Sequence, residues 1–259
     1  MSEKHSGLPS DERIVEKPNL PENDVKLVAI SESAGESKKF LHSLSIRTFD
    51  IKANPKLQKS VESHADIRLL HLPNKCIYSF SEELSKFKNL QFFTVRGINH
   101  EISADYPNDV RLNCAVIGKK IICNNRTIAK EILEFAEING FQLINTKQGY
   151  SKCSICILNE NVIITDDPSI YKSAQNFFDD ILFISKGSVG LKSANYGFIG
   201  GCTGKLGKYK IAFNGRIESH TDHNNIIDLL DKYNMTAVEL TDKRLEDIGG
   251  IIPLTESTS

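Results

Sequence analysis

The sequence has no basic tract, no long apolar run and no cysteine framework, and each absence excludes a class of protein. Lysine and arginine number 32 against 33 acidic residues, a formal net charge of −1, so electrostatics do not point to a nucleic-acid partner. No apolar run approaches the ~20 residues that a membrane helix needs, so no membrane partner is expected. The opening stretch, residues 1–24, is polar, charged and proline-containing. It lacks the apolar core of a signal peptide and is expected to form a flexible arm. The six cysteines lie within apolar segments, as buried thiols usually do, and not at the loop spacings of a disulfide framework. A reducing, cytoplasmic location is the expectation. Cys153 and Cys156 spell C-x-x-C. Residues three apart on a strand face opposite sides about 10 Å apart, beyond the ~7 Å Cα separation that a disulfide tolerates. No second C-x-x-C supplies further zinc ligands, so neither a metal nor another cofactor is expected.

What the sequence does contain is a repeat. Two strand-like segments, a helix-like segment and a further strand recur four times. The first copy reads DIRLLHL, KCIYSF, SEELSKFKN and LQFFTV over residues 66–95. The second begins with VRLNCAVIG at 110, the third with CSICILN at 153 and the fourth with FIGGCTGKLG at 198. A fifth copy is split between the ends: DIGGIIPL at 247–254 lacks what VKLVAIS, ESKKFLHSL and SIRTFD supply at 25–50. Such a split closes one domain over residues 25–254 and leaves a short tail, 255–259. Turn residues mark the hairpin tips at Pro73-Asn74, Gly118-Lys119, Asn159-Glu160-Asn161 and Gly204–Lys208. The strongest helix spans Thr127–Asn139, where Ile128, Ile132, Leu133 and Phe135 share a face and Gly140 stops it. Aligning Ile121 with Val162 brings Asn113 opposite Ser154, and Arg68 fits the same register.

In a ring of such units the first strands lie nearest the axis, and their N-terminal ends gather at one mouth of a central channel. The segments entering them supply the candidate chemistry. Cys153 is the candidate nucleophile, with Lys152 beside it to lower its pKa; the competing reading is a buried strand cysteine. His64 is a candidate general acid/base, and Asp66, two residues on along a strand, shares its face and suits a substrate cation; a polar pair at a strand start is the alternative. Asp166 and Asp167 precede Pro168 and suit either a helix start or a guanidinium. Asn113 and Lys152 are further substrate-binding candidates. His220, in SHTDH, reads first as part of a helix cap with Thr221 or Asp222 and second as a reserve acid/base. Gly200–Lys205 fails the P-loop pattern because Ile199 stands at the first glycine position and Leu206 follows the lysine.

Five such units resemble the pentein fold of the guanidine-modifying enzymes, an α/β propeller of five ββαβ units around a pseudo-fivefold axis. His64-Ala65-Asp66 resembles the His-x-Asp of those enzymes. Ile164-Thr165-Asp166-Asp167-Pro168 resembles their Phe-Thr-Arg-Asp-Pro stretch, whose aspartate holds the guanidinium. Gly149–Ser154 resembles the segment that carries their nucleophile. With KQGYSKCSICIL, GFIGGCTG and DIGGIIPL, the chain looks most like an uncharacterised bacterial family of that fold. Two departures stand out. The family's cysteine sits in the last strand, after paired glycines, where Gly249–Leu254 has the glycines and no cysteine. The His-x-Asp lies in the first full unit and not in the fourth. The resemblance implies a cofactor-independent cysteine hydrolase or transferase acting on a small guanidino or amine-containing molecule. A non-catalytic binding module of the same fold is the alternative.

Overall fold

Runs such as VKLVAIS and NVIITDD lack the in–out alternation of a half-solvated sheet, and the structure buries them on both faces. The computed structural model describes residues 7–259; residues 1–6 of the expected arm lie outside the described residues. The chain opens with β1 (Glu12–Ile14), β2 (Val25–Ser31), α1 (Gly35–Ser43) and β3 (Arg47–Ile51). Next come α2 (Ala65–Arg68), β4 (Leu70–Leu72), β5 (Cys76–Phe80), a 3₁₀ helix at Ser81–Leu90 and β6 (Thr94–Ile98). β7 (Ala115–Ile117), β8 (Lys120–Cys123), α3 (Lys130–Ile138) and β9 (Gln142–Asn145) follow. Then come β10 (Ile155–Asn159), β11 (Val162–Thr165), α4 (Pro168–Ala174) and β12 (Asp180–Phe183). A 3₁₀ turn at Ile199–Cys202 leads into β13 (Thr203–Gly207), β14 (Lys210–Phe213), α5 (His223–Lys232) and β15 (Thr236–Glu239). β16 (Ile252–Ser257) ends the chain.

These strands make five small sheets of one design. An antiparallel hairpin is followed by a helical crossover to a strand parallel with the second, as in β10–β11–β12. The fifth sheet, ordered β1-β16-β2-β3, joins the two ends of the chain: Ile252 pairs with Ala29, and β2 runs parallel to β3. The complementary split in the sequence is therefore one sheet. Five apolar cores each serve two sheets. One joins β4–β6 to β7–β9, the next β7–β9 to β10–β12, the next β10–β12 to β13–β15. The fourth joins β13–β15 to the β2 sheet, and the fifth joins that sheet back to β4–β6. β7 lies beside β10, β10 beside β13 and β13 beside β16.

Several elements differ from the sequence expectation. Residues 12–14 are an edge strand on β16, and Leu20 is buried, so this part of the arm is packed and not loose. Most of the expected tail belongs to β16, where Thr255 and Glu256 are buried. The buried Glu256 carboxylate accepts the Arg13 Nε–H at 3.0 Å and the Glu22 and Asn23 backbone N–H groups at 2.6 and 2.8 Å. The first strands are shorter than their apolar runs. Residues 65–68 form one helical turn, so Asp66 is not on a strand; the turn lets its N–H reach the Gly249 carbonyl at 3.0 Å. α3 begins at Lys130, because the N–H groups of Thr127 and Ile128 both turn back to Asn124. Among the described residues, no helix is long and apolar enough to cross a membrane.

Candidate functional site

Just before β4 and β13 the chain makes short helical turns, at α2 and at Ile199–Cys202; before β7, β10 and β16 it runs in irregular turns, and these five turns meet. Asn113, between Val110 and β7, is the joint. Its Nδ2 donates to the Asp66 carbonyl at 2.9 Å and to Cys153 Sγ at 3.1 Å. Its Oδ1 accepts the Lys152 and Cys153 N–H groups at 2.8 and 3.3 Å. The Cys153 turn is closed by Ser154 N–H on the Tyr150 carbonyl at 3.1 Å. The Cys153 thiol donates to Asp66 Oδ2 at 3.0 Å. Gly201 N–H donates to the Cys153 carbonyl at 3.0 Å, and the Gly201 carbonyl accepts the Ile248 and Gly250 N–H groups at 3.0 and 2.8 Å. All five units contribute a turn to this cluster.

Asp247 belongs to it, although the sequence reading did not single it out. Its carboxylate accepts the Phe198 N–H at 3.0 Å and the Gly249 N–H at 2.9 Å. His64 Nδ1 stands 3.7 Å from Asp247 Oδ1, an ion-pair separation too long for a hydrogen bond. Glycines make room for it: a Cβ on Gly201 would lie 2.0 Å from Asp247 Oδ1. Gly249, at φ +78°, lets His64 approach, since a Cβ there would meet His64 Cα at 2.4 Å. Short spacings of glycine around an acid in DIGG were the available signal.

Burial sets the electrostatics. Cys153 is 2% exposed, His64 4%, Asp66 2% and Asp247 4%. Burial first, and then the Asp66 and Asp247 charges, push the Cys153 thiol well above its ordinary range, so it is a proton donor at neutral pH. Burial also raises Asp247, with the Asp66 charge adding and His64 opposing. Among the described residues, Asp66 Oδ1, Asp166 Oδ1 and Ser154 Oγ have no hydrogen-bond partner. Lys152 Nζ reaches only the Gly200 carbonyl, at 3.4 Å, and among the described residues no carboxylate lies within ion-pair distance of it. The cluster thus presents buried negative charge and unspent acceptors, the environment that a cation would complete.

The other sequence candidates fall in three places. Asp166 follows Thr165, the cross-strand partner of Ile155, so it flanks the Cys153 turn without bonding to it. Burial raises its pKa to about 7, against the pull of Lys186. Asp167 caps α4: its Oδ1 accepts Ser169 and Ile170 N–H at 2.8 and 3.0 Å, and its Oδ2 accepts Gln148 Nε2 at 2.9 Å. Burial works to raise this carboxyl, but those bonds outweigh it and hold it below its ordinary value, so its acceptors are committed to the helix. His220 lies ahead of α5, outside the cluster, and its Nδ1 accepts the Asp222 N–H at 2.9 Å. Asp222 occupies the cap position, yet its carboxylate serves Ser185 N–H at 2.7 Å instead of its own helix. Arg68, in register with Asn113, is spent on a buried pair with Glu83.

A segment between β12 and β13 roofs the cluster. Gly190 and Asp247 are tied by the Asp247 N–H on the Gly190 carbonyl at 2.8 Å, and Gly197 N–H bonds the Val189 carbonyl at 2.8 Å. Phe198 stacks on Tyr150 with centroids 6.0 Å apart, and Tyr196 meets it edge-on at 6.0 Å. Leu191 reaches over to pack on the core shared by the β4–β6 and β7–β9 sheets.

No curated protein matches the chain. Among solved structures, DDAH from Pseudomonas aeruginosa, as a mutant complexed with citrulline, aligns with a TM-score of 0.54 at 9% identity over 90% of this chain and 99% of that one. The inosamine-phosphate amidinotransferase of Streptomyces griseus aligns with a TM-score of 0.54 at 11% identity, over 95% and 98% of the two chains. Agmatine deiminase from C. jejuni aligns at 0.51 and 10% identity, over 92% and 95%. These are enzymes of the pentein superfamily, and the likeness is one of fold. A family model described as a family of unknown function, DUF6873, matches residues 29–252, and the chain belongs to that family.

Proposed function

We propose that this protein is a cofactor-independent cysteine enzyme of the deiminase, amidinohydrolase or amidinotransferase kind, acting on a small guanidino compound. The observation that carries this reading is the Cys153 thiol, 3.0 Å from the buried Asp66 carboxylate whose second oxygen is unpartnered among the described residues, in one cluster with Asp247, which His64 faces at 3.7 Å. On this reading the five sheets form a pentein propeller about a pseudo-fivefold axis, supported by the five cores that link each sheet to the next and the last to the first.

Asp66 and Asp247 hold the planar cation, whose positive charge offsets the two carboxylates that keep the thiol protonated. His64 takes the thiol proton, and Cys153 Sγ bonds to the central guanidinium carbon. The C–N bond breaks, and the leaving amine takes the proton from His64. Water then loses a proton to His64 and attacks the same carbon, and the S–C bond breaks to give a ureido product and the thiolate. In a transferase an acceptor amine replaces the water. Asn113 and Lys152 position the Cys153 turn.

The test is incubation with arginine, agmatine and methylated arginines, following ammonia or amine and ureido product from mildly acidic to alkaline pH. Turnover that disappears in Cys153→Ala, with folding intact, is expected. Activity retained in Cys153→Ala rejects the mechanism. The second reading, a binding module, draws on the closed and protonated state of the thiol. Cation binding without product across that pH range would select it.

A further inference from the structure

A cavity of about 10 Å³ adjoins the thiol cluster, with Asn19, Asp66, His71 and Lys152 in its wall beside Cys114 and Ile252. That size corresponds to about one water, which needs roughly 10–15 Å³ and two to four polar partners. Two residues of the wall carry buried polar atoms that have no bonding partner among the described residues. Asp66 Oδ1 is one, and both ring nitrogens of His71 are others. His71 is 3% exposed, lies edge-on to Phe93 at 5.1 Å and points toward the Pro253 carbonyl without closing a hydrogen bond. Burial lowers its pKa to about 4, so at neutral pH the ring is uncharged and offers one donor and one acceptor. Native interiors rarely leave three such atoms stranded around one void.

We propose that a single water occupies this cavity and bridges the His71 imidazole to Asp66 Oδ1, making His71 a positioning residue for the carboxylate that holds the Cys153 thiol. The Asp66 carboxylate then has one fixed donor at each oxygen, the thiol at Oδ2 and the water at Oδ1, and each oxygen keeps a second lone pair for a cation. The charged and titratable groups around the relay are Asp66, Lys152 and Cys114 on the His71 side, and Asp66, Asp247, His64 and Tyr150 on the thiol side. Without the water, Asp66 Oδ1 is left unpaired in the core, and the carboxylate turns away from the sulfur to find a donor. That removes negative charge from beside the sulfur and makes the thiol more acidic. The proposal does not depend on which substrate the protein takes.

The experiment is the pH profile of iodoacetamide alkylation at Cys153, resolved from the other cysteines by peptide mass spectrometry. His71→Phe fills the cavity and is expected to move the midpoint down by about one pH unit, a rate gain of ~10-fold below the midpoint. His71→Gln retains a donor and an acceptor and is expected to keep the native profile. In an Asp66→Asn background, His71→Phe is expected to add nothing, because the carboxylate it acts through is gone. An unchanged profile in folded His71→Phe, or additive effects in the double variant, overturns the proposal. Should His71→Phe fail to fold, a high-resolution crystal structure of the native protein decides: a water within hydrogen-bond distance of both His71 and Asp66 supports it, and a dry cavity overturns it.

Discussion

A thiol donating to a carboxylate at 3.0 Å inside a closed cluster is held in its protonated form, and the carboxylate is the part that can be changed without touching the sulfur. Asp66→Asn removes the charge and keeps the shape. Cys153 is then expected to alkylate ~10-fold or more faster at pH 7.5, one pK unit being worth a factor of ten; no change would mean that burial alone sets the thiol. Asn113→Ala is expected to do the reverse, because it removes the donor that favours the thiolate and strands two backbone N–H groups, at a cost of about 1–3 kcal/mol read from chemical denaturation. Asp166 makes a separate prediction. Its folded pKa is raised from 3.8 to about 7, so the folded state binds a proton that the unfolded state has released between those values. Stability is therefore lost as pH rises from about 4 to 7, and the penalty is constant above that. Asp166→Asn should stabilise the protein by a few kcal/mol at pH 8 and leave it unchanged near pH 3.5. The repeat register set Asn113 opposite Ser154 and Arg68, and the repeat pattern placed Cys153, Lys152 and Asp66 at or just ahead of first strands, although Asp66 lies in α2. It also set Asp247 at the head of the last copy, but gave no reason to pick its carboxylate, which the glycines around it place. Nor did it separate Asp166 from Asp167: adjacent acids before Pro168 look alike until one is seen spending its oxygens on the helix.

Of the elements that depart from their sequence signals, α2 is the one that builds the cluster. The apolar period of DIRLLHL continues back through Asp66, but the chain winds into α2 there to meet the Gly249 carbonyl. Likewise SEELSKFKN has helical spacing and becomes a 3₁₀ helix whose Glu83 is buried against Arg68. Tertiary contacts override a local period when a buried charge must be paired. The roofing segment, 185–198, carries no apolar period and is polar and glycine-rich, as loops that run over a scaffold are. It is anchored by few apolar contacts, of which Leu191 is the most remote. Leu191→Ser is expected to loosen it, raising hydrogen exchange across 188–198 and speeding Cys153 alkylation several-fold, with the unfolding midpoint little changed. Faster exchange with unchanged alkylation would show that the thiol is reached by another route.

At the scale of the molecule, the informative strand is β16. It lies between β1 and β2, so its loss removes two ladders at once. Ile252 and Leu254 fill the core shared with the β4–β6 sheet, while Ile251, just before the strand, fills the core shared with β13–β15. Each such side chain contributes about 1.5–3 kcal/mol by burial, and three together rival the 5–15 kcal/mol by which domains of this kind are stable. Removing residues 251–259 is therefore expected to abolish cooperative unfolding of the whole chain, read by far-UV circular dichroism and by exchange protection in β7–β9, two sheets away. Among the described residues ahead of β1, Leu8 is only partly buried on the core shared with the β4–β6 sheet, and Leu8→Ser should leave the midpoint within a few degrees. If the 251–259 deletion instead unfolds with a native midpoint, and only β2 and β3 lose protection, the sheets stand independently and the closed arrangement is wrong. If protection is lost everywhere, each sheet depends on both its neighbours, as the five shared cores require.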